Sequence, residues 1–480
     1  MGFSMYQCIL CHGDLDDSSP SIVMCSDCGI SYPIIDDINI FLLPDPFSSL
    51  QGFVMEMEET RHSFEKIIRN LDDFEQYYNA MDLSDRIAMT KNGLSGNTSF
   101  LEESCLPIMN FLQNLPSQDN TLAWSSVKSG FTFHDMLPYF YQDWSGMPDL
   151  SEVKALFNGT IARHCKDRDS VAVLGAGACG LLYSVAERFR VSYAVDLSLP
   201  TLLTAKKLIE GEPLAFHLEK ADWQQINLTP PESTENDIRY IVSDVMNMPF
   251  NSDSLSVVIT QYVLDIVSNP KRLSAEIYRV LKADGLWINF SNPFKVPGDP
   301  TELDRRRINE LPDFFRKMGF DVVDMGIERF SLLNLEKLFP ETGNTKQLVH
   351  FFTLRKIHTE QNSFNTEKPI QRFFRANEAV WCEVPRIVMD RELFFVRKKS
   401  FDQLGRASEH IEISVAGQSF SIPSDIAMLL EKIFEYCNGK NNLKMLLSIL
   451  QKNGIYLNEE EFLQLIYMLN VQHYLIELNG

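Results

Sequence analysis

Short apolar runs alternate with amphipathic stretches through the middle of the chain. Val171–Leu174, Ser192–Val195, Leu255–Thr260 and Leu286–Phe290 are compact and mostly apolar, and each ends at glycine or a polar residue. Runs of this kind predict strands buried on both faces of a parallel sheet. Leu181–Phe189 and Lys271–Leu281 read as helices, so strand and helix alternate as in an α/β fold. Tyr240–Val245 adds a strand with Asp244 near its end, and Asp284–Gly285 turns the chain into Leu286–Phe290.

The first strand runs into a glycine turn, VAVLGAGACG, over Val171–Gly180. Gly175, Gly177 and Gly180 let the backbone turn tightly and approach a ligand, with Ala176 between the first two. Asp196 ends the next strand, about 20 residues on, where a carboxylate accepts hydrogen bonds from ribose hydroxyls. Parallel strands bring their carboxyl ends to one crevice, so the glycine turn, Asp196, Asp244–Val245 and Gln261–Asp265 are expected to meet around one nucleoside ligand.

The flanks read differently. Phe47 to Thr60 reads as a linker, and residues 61–168 as mostly helical, with loops at Lys91–Thr98 and Leu115–Thr121. His134–Ser145 concentrates aromatic and hydrogen-bonding side chains just before the glycine strand; it is either a packing hinge or a wall over the crevice. Ile308–Met318 and His350–Leu354 are expected to complete the sheet, and Asn362–Lys368 is a polar linker. Trp381–Arg386 either lies near the site or joins domains. From His410 onward, strands at Ile411–Val415 and Phe420–Ile422 precede helices at Ser424–Tyr436, Leu443–Leu450 and Glu459–Leu469 and a closing strand, His473–Leu478.

The chain's 480 residues exceed one core, so about three units are expected. A net charge of -21 argues against a protein that mainly grips a phosphate backbone, DNA above all, while leaving room for a local RNA contact. No apolar run reaches membrane-spanning length, and the first residues lack a secretory pattern, so the cytoplasm is the expected compartment.

Four of the nine cysteines form two CxxC pairs, Cys8–Cys11 and Cys25–Cys28. This spacing places four thiolates around one tetrahedral zinc ion. With every position filled, the metal is structural and supplies folding energy to a segment too small for its own core. Gly13 and Gly29 follow the second cysteine of each pair, where positive φ is expected. His12 reads as a bystander. The knuckles and the following Tyr32–Leu42 segment resemble the zinc ribbon of tRNA and protein methyltransferase activators, over roughly residues 6–44.

The central motifs together resemble class I S-adenosylmethionine-dependent methyltransferases: the glycine turn, Asp196, Ser243–Asp244–Val245, and EIYRVLKADGLWINF, which ends at Phe290. The resemblance implies S-adenosyl-L-methionine as cofactor, held by Gly175, Ala176, Gly177, Gly180, Asp196, Asp244, Val245 and Gln261. Asp143–Trp144–Ser145, the segment from Tyr262 to Asn269, and WINF also resemble the carnosine N-methyltransferase family, whose acceptor is an imidazole nitrogen. The chain departs from that family at Gln142, Val267–Asn269 and Ser291–Pro293, which leaves the acceptor open between an imidazole and another amine. An amine must arrive deprotonated, so Asp265, Tyr262 and Asp143 are the candidate substrate-facing residues, Asp265 first.

The expected fold is α/β: a Rossmann-like, seven-stranded methyltransferase sheet with an N-terminal zinc ribbon and a small C-terminal winged-helix-like domain of the PqqD type. Its expected divisions are a ribbon over 1–46, a helical lid region over 60–165, the cofactor domain over 166–358, a connecting segment over 370–400 and the last domain over 408–480. The preferred function is N-methylation of a small molecule or peptide. An RNA methyltransferase that uses the ribbon for recognition, and a non-catalytic S-adenosylmethionine-binding scaffold, are the alternatives; the oligomeric state is open.

Overall fold

The computed structural model describes residues 5–16, 19–43, 46–77, 83–114, 132–146, 148–219, 222–232, 236–267, 270–291, 311–330, 347–357, 384–387, 393–401, 407–415, 418–422, 424–467, 469 and 476–479. The sequence expectations at Leu115–Thr121, Ser268–Asn269, Asn292–Pro293, Asn362–Lys368 and Trp381–Glu383 lie outside them.

The cofactor-domain strands are β5 (Ser170–Leu174), β6 (Val191–Asp196), β9 (Ile238–Ser243), β10 (Leu255–Gln261), β11 (Leu281–Ser291), β12 (Phe320–Phe330) and β13 (Gln347–Lys356). They lie side by side in the order β9-β6-β5-β10-β11-β13-β12. The first five are parallel, whereas β13 runs antiparallel to β11 and β12. β5 is buried along its whole length, as its unbroken apolar run requires of a central strand. The order reverses beside β5, so a crevice opens at the carboxyl ends of β5, β6 and β10.

The sheet does not stop at seven strands. The cysteine-rich segment folds as β1 (Leu15–Asp16), β2 (Ile22–Cys25), β3 (Ser31–Ile35) and β4 (Ile38–Phe41), and β4 pairs in parallel with β9, matching Ile40 to Val242. Among the described residues, one sheet of eleven strands results. The reason is local: Ile38, Ile40 and Phe41 are fully buried, which a strand in a free-standing ribbon of that size cannot achieve.

Two further expectations change. The linker expected at Phe47–Thr60 is the first half of a long helix, α1 (Pro46–Tyr77). The loop expected at Lys91–Thr98 lies inside α2 (Ser84–Gln113). Tertiary packing overrides local preference there. α2 lies against a hairpin of β7 (Leu214–Glu219) and β8 (Trp223–Leu228), and a Cβ on Gly93 would sit 2.1 Å from the Trp223 ring, one on Gly96 2.4 Å from His217. The buried Asn97 clamps the same hairpin, donating to the His217 carbonyl (2.9 Å) and accepting from its amide (2.7 Å).

At the C-terminal end, β14 (Val384–Ile387) pairs with β18 (Ile476–Asn479), and β15 (Leu393–Phe401) joins β16 (Ala407–Val415) and β17 (Gln418–Ile422) in a three-stranded sheet. Strands from the expected connecting segment are therefore built into the C-terminal unit. Helices Ser424–Tyr436, Leu443–Lys452 and Glu459–Tyr467 complete its described part.

Candidate active site and metal centre

The glycine turn joins β5 to α5 (Gly180–Ala186). Gly175, Gly177 and Cys179 all take positive φ, near 60°, 50° and 60°. The amide of Ala176 reaches back to the Val195 carbonyl (3.1 Å), which ties the turn to the end of β6. Asp196 then joins both sides of the crevice: one carboxylate oxygen accepts from the Gly177 amide and the other from the Ser198 amide, each at 2.9 Å. Burial raises its pKa, and these backbone bonds oppose the rise. Each oxygen keeps a lone pair for a further hydrogen bond.

Asp244 caps the loop after β9 by accepting from the Met246 amide at 2.8 Å, and Val245 is buried behind it. Gln261 closes β10, pairing with Phe290. Tyr262 follows with φ +54°, a left-handed conformation rare for an aromatic residue. Its ring meets Phe290 edge-on at 5.5 Å, and its buried hydroxyl has no hydrogen-bond partner among the described residues. Burial raises the phenol's pKa, as do the charge of Asp265 and the neighbouring Tyr139. Asp265 and Tyr139 are thus near enough to Tyr262 to act on its phenol electrostatically. Val263 leans over the glycine turn, 2.5 Å from where a Gly175 Cβ would lie.

The aromatic segment covers this turn from above. It forms a 3-10 turn (His134–Met136) and α3 (Leu137–Trp144). The Trp144 indole donates to the Ala178 carbonyl at 2.8 Å. Met136 lies 3.2 Å from where a Gly177 Cβ would be, and Asp143 2.6 Å from that of Gly180. Asp143 accepts from the Gly180 amide at 2.9 Å. One oxygen of its carboxylate is thus bonded to the glycine turn. Burial lifts its pKa to about 6, opposed by the Gly180 amide and by Lys154.

The four knuckle cysteines are all free thiols whose sulfurs lie within 4.8 Å of one another. Cys8 and Cys28 are 3.6 Å apart, Cys11 and Cys25 3.3 Å. Tetrahedral zinc at its usual bond length to sulfur sets such edges at about 3.8 Å. The Leu10 and Gly13 amides point at the Cys8 and Cys11 sulfurs, as second-sphere donors to thiolates do. Donor type, spacing and burial therefore fit a closed zinc site. His12 (φ +59°) and Gly29 (φ +74°) are the left-handed residues of the two knuckles, so the first does not use Gly13 for positive φ. Gly13 is needed for space: a Cβ there would lie 2.2 Å from Asp27.

Several contacts were not foreseen. Asn247 donates to the Ile9 carbonyl at 3.2 Å and the Gln7 amide donates to the Pro249 carbonyl at 2.7 Å, so the first knuckle grips the loop that follows Asp244. Lone Asn and Gln residues carry no signal for such a contact.

Residues 173–288 match the family model described as a methyltransferase domain. No curated protein matches the chain significantly. Among solved structures, a Methanosarcina mazei SAM-dependent methyltransferase is 13% identical, covering 42% of this chain and 97% of its own, with a TM-score of 0.31. A chain from the complex of the Haloferax volcanii Trm112 methyltransferase activator with its candidate methyltransferase is 17% identical, covering 46% and 96% (TM-score 0.32). Haemonchus contortus phosphoethanolamine N-methyltransferase 2, bound to S-adenosyl-L-methionine, is 14% identical, covering 48% and 59% (TM-score 0.33). With the matched domain spanning the glycine turn, Asp196, Asp244 and the tip of β10, the chain carries an S-adenosylmethionine-dependent methyltransferase domain of the class I, Rossmann-like kind.

Proposed function

We propose that the protein transfers a methyl group to a nitrogen of a small molecule or peptide, an imidazole or another amine. The observation that carries this reading is the tip of β10: Val263 packs on Gly175 of the glycine turn, and next to it Tyr262 takes a left-handed backbone and holds a buried hydroxyl with no partner among the described residues. When bound, S-adenosylmethionine supplies an electrophilic methyl group on a sulfonium sulfur. Asp196 holds the ribose, and the Asp244–Val245 loop borders the adenine. Asp143 positions the glycine turn through the Gly180 amide. Asp265 accepts the N–H of the incoming nucleophile and takes its proton. Burial keeps the Tyr262 phenol neutral, so its hydroxyl orients the nucleophile by a hydrogen bond rather than as a phenolate. Alignment by these two groups supplies much of the rate, since displacement needs the nucleophile in line with the bond that breaks.

The four cysteines hold one structural zinc ion in the same reading. The ribbon extends the β9 edge, on the adenine side of the crevice, whereas β11 and β13 border the other side. That arrangement favours a ribbon that supports the cofactor over one that recruits RNA.

Purified protein incubated with methyl-labelled S-adenosylmethionine and fractionated cell extract tests the reading. Label is expected in the small-molecule or peptide fraction. Label only in RNA would overturn the acceptor class, and cofactor binding without any labelled product would point to a scaffold.

A further inference from the structure

The loop after Asp244 is enclosed from two sides. Met246, Asn247, Met248, Pro249 and Phe250 are all buried, yet none of them lies within a helix or strand. Buried backbone of this kind has to find its hydrogen bonds outside a regular ladder. All five carbonyls do so. The Gln7 amide of the ribbon donates to Pro249 (2.7 Å), and the Ser243 hydroxyl donates to Asn247 (3.3 Å). The other three are taken by one helix, Pro270–Val280: Arg272 Nε donates to Met246 (3.2 Å), Arg279 Nη2 to Met248 (3.0 Å) and Arg279 Nη1 to Phe250 (2.6 Å). Glu276 of the same helix accepts from the Met248 amide at 2.7 Å.

Arg272, Glu276 and Arg279 follow one another at four- and three-residue spacing, so they lie on one helix face. Glu276 and Arg279 are also paired with each other, Nε to Oε2 at 2.8 Å and Nη2 to Oε1 at 2.6 Å, with only 12% and 7% of their side chains exposed. A buried ion pair is a poor source of stability, because apolar residues of similar volume often serve as well. What apolar residues cannot do is hold three backbone groups of an irregular loop. The loop in turn aims Asp244: its Oδ1 is spent on the Met246 amide, which leaves Oδ2 for a ligand.

Resting on the methyl-transfer reading above, we propose that Glu276 and Arg279 are positioning residues for recognition of the cofactor's base: they fix the backbone from Met248 to Phe250, and through that loop the Asp244 carboxylate, where Oδ2 accepts from the adenine amino group. The ribbon holds the loop from one side and this pair from the other. Neither residue touches the cofactor.

Calorimetric titration with S-adenosylhomocysteine and with its hypoxanthine analogue tests the proposal. The analogue replaces the amino donor by a carbonyl, which Asp244 cannot bond. The parent protein should bind the adenine compound about tenfold more tightly or better, the equivalent of one hydrogen bond. The double variant Glu276→Leu/Arg279→Met removes both charges at similar volume. It should melt within a few degrees of the parent, while its preference for adenine falls below about twofold. Should it fail to fold, Arg279→Lys carries the test: it keeps the cation but cannot fork between two carbonyls and Glu276, and its preference should drop about threefold or more. A folded variant that keeps the parent's preference, even if it binds both ligands more weakly, overturns the proposal and leaves the pair a packing role. So does a parent that binds the two ligands equally. Failure of the parent to bind S-adenosylhomocysteine at all would instead overturn the methyl-transfer reading.

Discussion

Asp196 and Asp143 show how one residue type serves different ends of the same loop. Asp196 bonds the Gly177 and Ser198 amides, and so ties the glycine turn to the end of β6; in the proposed function it also takes the ribose. Asp196→Ala should weaken S-adenosylhomocysteine binding by about tenfold or more, as expected for charge-assisted hydrogen bonds, which calorimetric titration would read. Asp143 has a pKa raised from 3.8 to about 6 by burial. The folded protein then binds more protons than the unfolded chain between those values, so this group's contribution falls as pH rises from about 4 to about 6 and is level above that. Asp143→Asn should flatten the thermal stability of the protein across this window relative to the parent. An unchanged slope would mean that the carboxyl is not desolvated.

At the scale of elements, glycines in helices separate packing from propensity. In α2, Gly96 lies against His217, with 2.4 Å for an added Cβ. In α4 (Pro148–His164), Gly159 is exposed and has open space around it. Gly159→Ala should stabilise the protein by about 0.5–1 kcal/mol, the usual helix-interior gain. Gly96→Ala carries the same gain but must displace the ring, and should destabilise by about 1–3 kcal/mol. Thermal melts of the pair would settle it, and a stabilised Gly96→Ala would refute the close packing. The same elements carry the aromatic segment before β5. The Phe133 amide donates to Glu56 of α1 at 2.8 Å, and His134 meets Phe64 edge-on at 4.9 Å, so α1 anchors the segment that places Met136 and Trp144 over the glycine turn.

At the scale of the whole molecule, the cysteine-rich segment and the methyltransferase domain share one sheet among the described residues. Tyr6 packs among Phe41, Tyr193 and Phe250, and Asn247 is held from the first knuckle. Elemental analysis should find one zinc per chain. Its removal by a strong chelator should lower the melting temperature by several degrees and weaken cofactor binding together with it, because β4 and the loop after Asp244 lose their support. Loss of metal with both quantities unchanged would separate the ribbon from the cofactor domain. Asn247→Ala should weaken S-adenosylhomocysteine binding by a few fold while the zinc content stays at one.

The glycine turn, the strand-end acids and the paired CxxC knuckles were legible in the chain because each depends on local chemistry. Positive φ selects glycine, strand ends collect ligand-binding acids, and thiolate pairs are spaced by one turn. The alternating apolar runs likewise determined the order of strands and helices. Only the tertiary structure decided that β4 would zip onto β9, that a glycine-rich and Asn-rich stretch would be a helix under Trp223 and His217, and that Asp143 would face the Gly180 amide. Those outcomes depend on which surfaces meet, and contacts between residues 37, 120 or 238 positions apart leave no periodicity in the sequence.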